Sequence, residues 1–114
     1  MITIYHNPHC TKSRQTLALL REHGVEPEII DYLKTPPSTT ELKRLVKFLG
    51  LTPRELLRTK EPEYKAARLD RATASDEDIV RAIVKHPRLM ERPIVVKGGK
   101  AVLGRPPENV LKIL

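Results

Sequence analysis

A short strand, a helix and a second strand follow one another at the start of the chain, and that succession restricts the fold more than any other feature. Met1-Ile-Thr-Ile-Tyr-His6 alternates weakly and is rich in β-branched and aromatic residues, which predicts a strand. Asn7-Pro8-His9-Cys10 reads as a turn, and Thr11 to Leu17 opens a helix. That helix uses Leu17, Ala18 and Leu20 as apolar positions and stops at Gly24, a natural C-terminal cap. Glu26 to Leu33 reads as a second strand, closed by Lys34-Thr-Pro-Pro37. Two strands linked by a helix-length connection become parallel neighbours joined by a right-handed crossover.

The middle of the chain is helical in pattern. Leu42, Leu45, Val46 and Leu49 recur at helical spacing behind Ser38, with Glu41 three residues after the cap as in a capping box, and Gly50 ends the run. Thr52-Pro53 restarts a short helix through Leu56 and Leu57, and Glu61 to Arg68 reads as a further broken turn. Ser75-Asp-Glu-Asp78 opens a helix through Ile79, Ala82 and Ile83 that ends by His86-Pro87. The C-terminal third then changes character. Arg92 to Lys97, a Gly98-Gly99 turn, and Lys100 to Gly104 predict a β-hairpin. Pro106-Pro107 leads into a last helix, Glu108 to Leu114, with Val110, Leu111 and Leu114 on one side. The expected class is α/β: β-α-β, a helical insert at about 38–87, then β-β-α, giving a four-stranded mixed sheet flanked by helices in one domain over 1–114.

A chain of 114 residues suits one domain with its own core, without metal or disulfide staples. Its one cysteine excludes an intramolecular disulfide and fits a reducing compartment. His6, His9 and Cys10 lack a fourth ligand for a zinc site. No apolar run is long enough to span a bilayer, and Met1 leads directly into strand, so a cytoplasmic protein is expected. The formal charge of +7 raises nucleic acid as a partner. Basic residues are instead mixed with acids, as in Glu41-Leu-Lys-Arg44. With three Tyr, one Phe and no Trp there is no aromatic stacking platform. A small anion remains a suitable ligand for such a field.

Cys10 carries the chemistry. At a strand-to-helix junction a thiol meets the unpaired N–H groups and the positive dipole end of the helix, which favour thiolate. Cysteine also serves widely as a small inert core residue. Here His6 precedes it by four residues and Lys12, Ser13 and Arg14 follow at once, while Leu17, Leu19 and Leu20 are better core fillers. That company favours a reactive sulfur.

The segment His6-Asn7-Pro8-His9-Cys10-Thr11-Lys12-Ser13-Arg14 closely resembles the active-site segment of glutaredoxin-linked arsenate reductases, the ArsC-like proteins of thioredoxin-like fold. Tyr32-Leu-Lys-Thr-Pro-Pro37, Leu56-Leu-Arg58, Glu91-Arg-Pro-Ile-Val-Val96 and Gly104-Arg-Pro106 resemble further blocks of that family in the same order. The likeness runs over essentially the whole chain, in the manner of the short branch without a C-terminal extension. The resemblance implies a thioredoxin-like fold, a nucleophilic Cys10, and three arginines around the substrate oxyanion, Arg58, Arg92 and Arg105. Guanidinium groups suit a tetrahedral dianion because they stay charged and bond oxygens in pairs. Pro93 is implied to be cis and to face the cysteine. Each position has a plainer reading: Arg58 as a solvent-facing helix charge, Arg92 as part of a turn, Arg105 as a strand end. His6 is either a cation beside the thiolate or a strand-end histidine hydrogen-bonded to backbone. Ser13 either donates to the sulfur or oxyanion, or satisfies the first helical turn.

The implied activity, part of arsenic detoxification, is reduction of arsenate to arsenite with no bound cofactor. The resemblance also implies glutathione as the co-substrate and a glutaredoxin as the partner; the single cysteine itself shows only that some external thiol must resolve the adduct. No nucleic-acid or membrane partner is expected. Two other functions fit the same scaffold. A different glutathione-linked thiol oxidoreductase would keep Cys10 but not need three converging arginines. A Spx-like regulator that binds RNA polymerase would commonly carry a second cysteine where Ser13 stands.

Overall fold

A computed structural model describes every residue of the chain except Ala72. The chain divides into two compact units, one made of residues 1–35 and 92–114 and the other of residues 36–91.

The first unit holds a four-stranded sheet of order β2-β1-β3-β4, with β1 Ile2–His6, β2 Glu28–Asp31, β3 Ile94–Lys97 and β4 Lys100–Leu103. β1 runs parallel to β2 and antiparallel to β3, and β3 pairs antiparallel with β4. This is the mixed sheet predicted by the β-α-β and β-β-α pattern, and its class is α/β. Helix α1, Thr11–Glu22, makes the crossover between β1 and β2. It ends as its glycine predicts: Gly24 takes φ +76°, and the Val25 N–H returns to the Leu20 carbonyl at 3.0 Å. Ile4, Leu20, Val95 and Val110 are fully buried between α1, the sheet and the C-terminal segment, and Leu17, Leu19, Val102 and Ile113 pack around them. In the hairpin Gly98 takes φ +61° at the first loop position, the place where a two-residue turn asks for glycine.

Two expectations need correcting in this unit. The second strand covers Glu28–Asp31 rather than Glu26 to Leu33. Pro27 has no N–H to donate, and beyond Asp31 the N–H groups of Lys34 and Thr35 fold back onto the Asp31 carbonyl at 3.0 and 2.9 Å. The last helix is a 3-10 helix, Pro107–Ile113. With three residues per turn, Val110 and Ile113 share the inward side. Leu111 and Leu114, expected beside Val110, are instead exposed.

The second unit is helical. It contains α2 Thr39–Leu49, a 3-10 turn Pro53–Leu56, the short α3 Pro62–Ala66, α4 Asp76–Lys85 and a 3-10 turn Pro87–Leu89. The Ser38 hydroxyl accepts from the Glu41 N–H, and Gly50 closes α2 in the left-handed region. Complete capping boxes start the Pro53 turn (Thr52 with Glu55) and α4 (Ser75 with Asp78). Leu42, Leu45, Leu56, Ile79, Ile83, Leu89 and Met90 are buried. An antiparallel bridge joins Leu57, after the Pro53 turn, to Met90.

Candidate active site

The loop between β1 and α1 is fixed by its own polar groups. The Cys10 N–H donates to the Asn7 carbonyl at 3.0 Å, and the His9 N–H donates to Asn7 Oδ1 at 2.9 Å. The buried Ser13 hydroxyl accepts the Asn7 N–H at 3.0 Å and shares a 2.6 Å hydrogen bond with His6 Nδ1. From outside, Arg14 donates to the Pro8 carbonyl at 3.0 Å and to Thr11 Oγ1 at 3.3 Å. Cys10 therefore stands as the N-cap of α1, with extended backbone at φ −96° and ψ 123°.

The first-turn N–H groups of Ser13 and Lys12 act on the Cys10 sulfur at the positive end of the helix. Burial pushes the thiol up, but the opposing influences outweigh it and hold it below the ordinary value. These are the Ser13 N–H, then the Arg92 guanidinium by hydrogen bond and by charge, then the Lys12 N–H. A second guanidinium arrives from beyond β4, where Arg105 Nη2 lies 3.7 Å from Cys10 Sγ. Arg105 Nε donates to the Arg92 carbonyl at 2.8 Å, which links the two arginines.

Backbone geometry brings them there. The Arg92–Pro93 peptide is cis, as the resemblance implies, and so is Arg105–Pro106, which the sequence reading does not anticipate. The Gly104 N–H donates to the Pro93 carbonyl at 3.0 Å. A side chain at Gly104 would run into Thr16 Oγ1 and approach Pro93 Cγ to 2.8 Å, so only glycine lets α1 and these two segments meet this closely. Buried Thr16 donates to the Lys12 carbonyl at 2.8 Å and reaches the Gly104 carbonyl at 3.4 Å. Asn109 Nδ2 holds the Leu103 and Arg105 carbonyls at 3.2 and 3.0 Å. Thr16, Gly104 and Asn109 thus shape the site, a role the sequence reading gives to none of them. The contact of Thr16 with Gly104 joins residues far apart in the chain and leaves no local motif.

His6 and Ser13 meet each other in the structure. Burial lowers the His6 pKa, Asp31 opposes it, and Arg21 and Arg14 lower it further, which favours the neutral ring. The Ser13 hydroxyl bonds His6 Nδ1 and accepts the Asn7 N–H, while the Ser13 backbone N–H serves the sulfur. Both residues form the floor of the cysteine loop. A cavity of about 650 Å³ beside that loop is lined by His6, Pro8, Arg14, Leu17, Ala18 and Arg21.

Arg58 belongs to the other unit. It is no solvent-facing helix charge: it follows the Pro53 turn, its N–H donates to the Leu89 carbonyl at 2.7 Å, and its side chain is 24% exposed. Its guanidinium lies 3.4 Å from Glu61 and 3.8 Å from Glu91.

A sulfur at a helix start, with its thiol held below the ordinary value and two arginines beside it, suits attack on an electrophilic oxyanion. Known proteins with this sequence pattern and fold agree with one another. The chain is 54% identical to the uncharacterized protein YfgD of Escherichia coli K12, over 99% of this chain and 96% of that protein. It is 49% identical to an arsenate reductase of Haemophilus influenzae, over 99% and 98%. An arsenate reductase structure from Vibrio cholerae superposes with a TM-score of 0.96 at 53% identity, covering 99% of this chain and 97% of that one. With the ArsC family profile matching residues 5–113, a span that takes in the cysteine loop and all three arginines, the chain belongs to the ArsC family.

Proposed function

We propose that this protein reduces arsenate to arsenite through the Cys10 thiolate. The observation that carries the reading is the convergence of Arg92 and Arg105 on a sulfur whose ionisation the site favours. The names of its relatives from Haemophilus influenzae and Vibrio cholerae support the substrate. Arg58 is the third oxyanion ligand, on the strength of the family resemblance.

In the reaction the thiolate attacks arsenic and an As–O bond breaks, with water leaving once its oxygen is protonated. The product is a covalent Cys10–arsenic(V) adduct. The guanidinium groups neutralise the oxygens as negative charge builds on them. Glutathione thiolate then attacks the Cys10 sulfur. The S–As bond breaks, its electron pair stays on arsenic, and arsenic(III) departs as arsenite. Cys10 is left as a mixed disulfide with glutathione. A glutaredoxin thiol attacks that disulfide and restores Cys10. Glutathione is thus a co-substrate, no bound cofactor is needed, and the reducing cytoplasm is where such a cycle would run.

Turnover of arsenate with glutathione and glutaredoxin tests this. Cys10→Ser abolishes it. Arg105→Ala lowers kcat/KM by roughly 10²-fold, the scale of losing one oxyanion donor. The same Arg105 variant should transfer thiols to small disulfides nearly as well as the wild type, because that reaction has no oxyanion to hold. Arsenate consumption that persists in Cys10→Ser rules the mechanism out.

A further inference from the structure

We propose that Glu61 is a positioning residue for Arg58, fixing the guanidinium that takes the oxyanion. This rests on the oxyanion-binding role given to Arg58 above. The backbone of Arg58 is already secured: its N–H is on the Leu89 carbonyl at 2.7 Å, and the Glu91 N–H is on the Leu56 carbonyl at 2.8 Å. These bonds leave the long side chain free to rotate. Two carboxylates limit it, Glu61 at Nε (3.4 Å) and Glu91 at Nη1 (3.8 Å).

Glu61 is the better anchored of the two for this task. Its N–H donates to the Arg58 carbonyl at 3.3 Å, which folds residues 58–61 into a turn and brings the two side chains side by side. Its side chain is only 15% exposed, and Arg88 grips the other carboxylate oxygen at 3.0 Å while reaching Glu63 at 3.6 Å. Glu61 therefore keeps its place whether or not Arg58 turns toward a ligand. Both contacts to Arg58 are longer than the 2.7–2.9 Å of a strong charge-assisted pair, and neither is a two-pronged fork. A doubly charged oxyanion can engage the guanidinium without first breaking a tight pair. The carboxylates restrict where the guanidinium points, so less rotational freedom remains to be lost on binding.

Protection of Cys10 from iodoacetamide by arsenate reads oxyanion binding directly. Glu61→Ala should weaken the protection constant roughly threefold to tenfold, the range of a coupled neighbouring pair. Glu61→Gln, which still offers an oxygen to Nε, should stay within about twofold of the wild type on the same scale. The double variant Arg58→Ala/Glu61→Ala should match Arg58→Ala alone, because Glu61 acts only through Arg58. Alkylation without arsenate should be equal in the wild type, Glu61→Ala and Glu61→Gln. Unchanged or tighter protection in Glu61→Ala overturns the inference, as does a further loss when Glu61→Ala is added to Arg58→Ala. Arsenate that fails to protect the wild type overturns the oxyanion reading and this inference with it. Wild-type protection with an indifferent Glu61 overturns the inference alone.

Discussion

At Cys10 two opposing effects meet within one side chain. Burial favours the neutral thiol, while the Ser13 N–H and the Arg92 guanidinium favour thiolate and prevail. Arg92→Ala removes a hydrogen bond and a charge together, so the midpoint of pH-dependent alkylation should rise toward the free-cysteine value of about 8.5. Arg92→Lys, which restores charge without the fork, should fall between. An unmoved midpoint in Arg92→Ala would mean that the helix start alone sets the thiol. At His6 burial prevails instead and favours the neutral ring. Its folded pKa lies below the unfolded value of about 6.5, so the fold rejects the proton that the unfolded chain accepts. Its contribution is constant above the unfolded pKa, and stability falls as pH drops through that value. The thermal midpoint should therefore fall between about pH 7 and about pH 5, and less so in His6→Gln. Equal slopes for both proteins would assign the loss to other groups. Cys10, Arg92 and Arg105 were legible because each sits in a short block with a recognisable neighbour. The partners of His6 and Ser13 were not, since the two share a hydrogen bond seven positions apart across a turn whose path sequence does not define.

Elements whose ends carry their own chemistry were also legible. Gly24, Gly50, Ser38, Thr52 and Ser75 each mark a boundary by a cap or a left-handed residue, and each does so in the structure. Where an element's identity depends on what it packs against, sequence gave less. The C-terminal helix has an apolar pattern that fits either period, and contact with α1 and β4 selects the 3-10 form by placing Val110 and Ile113 inward. Thr16 shows the same dependence on tertiary context. Within α1 it is an unremarkable polar residue, yet it is fully buried and its hydroxyl spans from the Lys12 carbonyl to the Gly104 carbonyl. Thr16→Val keeps the shape and removes the hydroxyl, which should lower unfolding stability by about 1–2 kcal/mol. A denaturant midpoint shows this, with the slope unchanged if the unfolded chain is the same. A wild-type midpoint would show that the methyl group alone holds the contact.

Across the molecule the excess of seven positive charges separates into two contributions that salt can distinguish. Arginines in contact with a bound oxyanion act over a few ångströms and resist screening. The scattered lysines and arginines act through a diffuse field, which shrinks with the Debye length from about 30 Å at 0.01 M to about 8 Å at 0.15 M ionic strength. Under the proposed activity, that rise in ionic strength should increase KM for arsenate while leaving kcat nearly constant. The field attracts the substrate but does no chemistry on it. Chloride could mimic the result by occupying the pocket, and sulfate resolves the ambiguity. As a tetrahedral dianion, sulfate offers the guanidinium groups the same paired oxygens as arsenate, so it should compete at ionic strengths where chloride has little effect. Sulfate and chloride acting alike at matched ionic strength would leave only the diffuse field, and no built oxyanion site among Arg58, Arg92 and Arg105. Sulfate acting more strongly, with the difference lost in Arg105→Ala, would locate the discrimination at the guanidinium that lies 3.7 Å from the Cys10 sulfur.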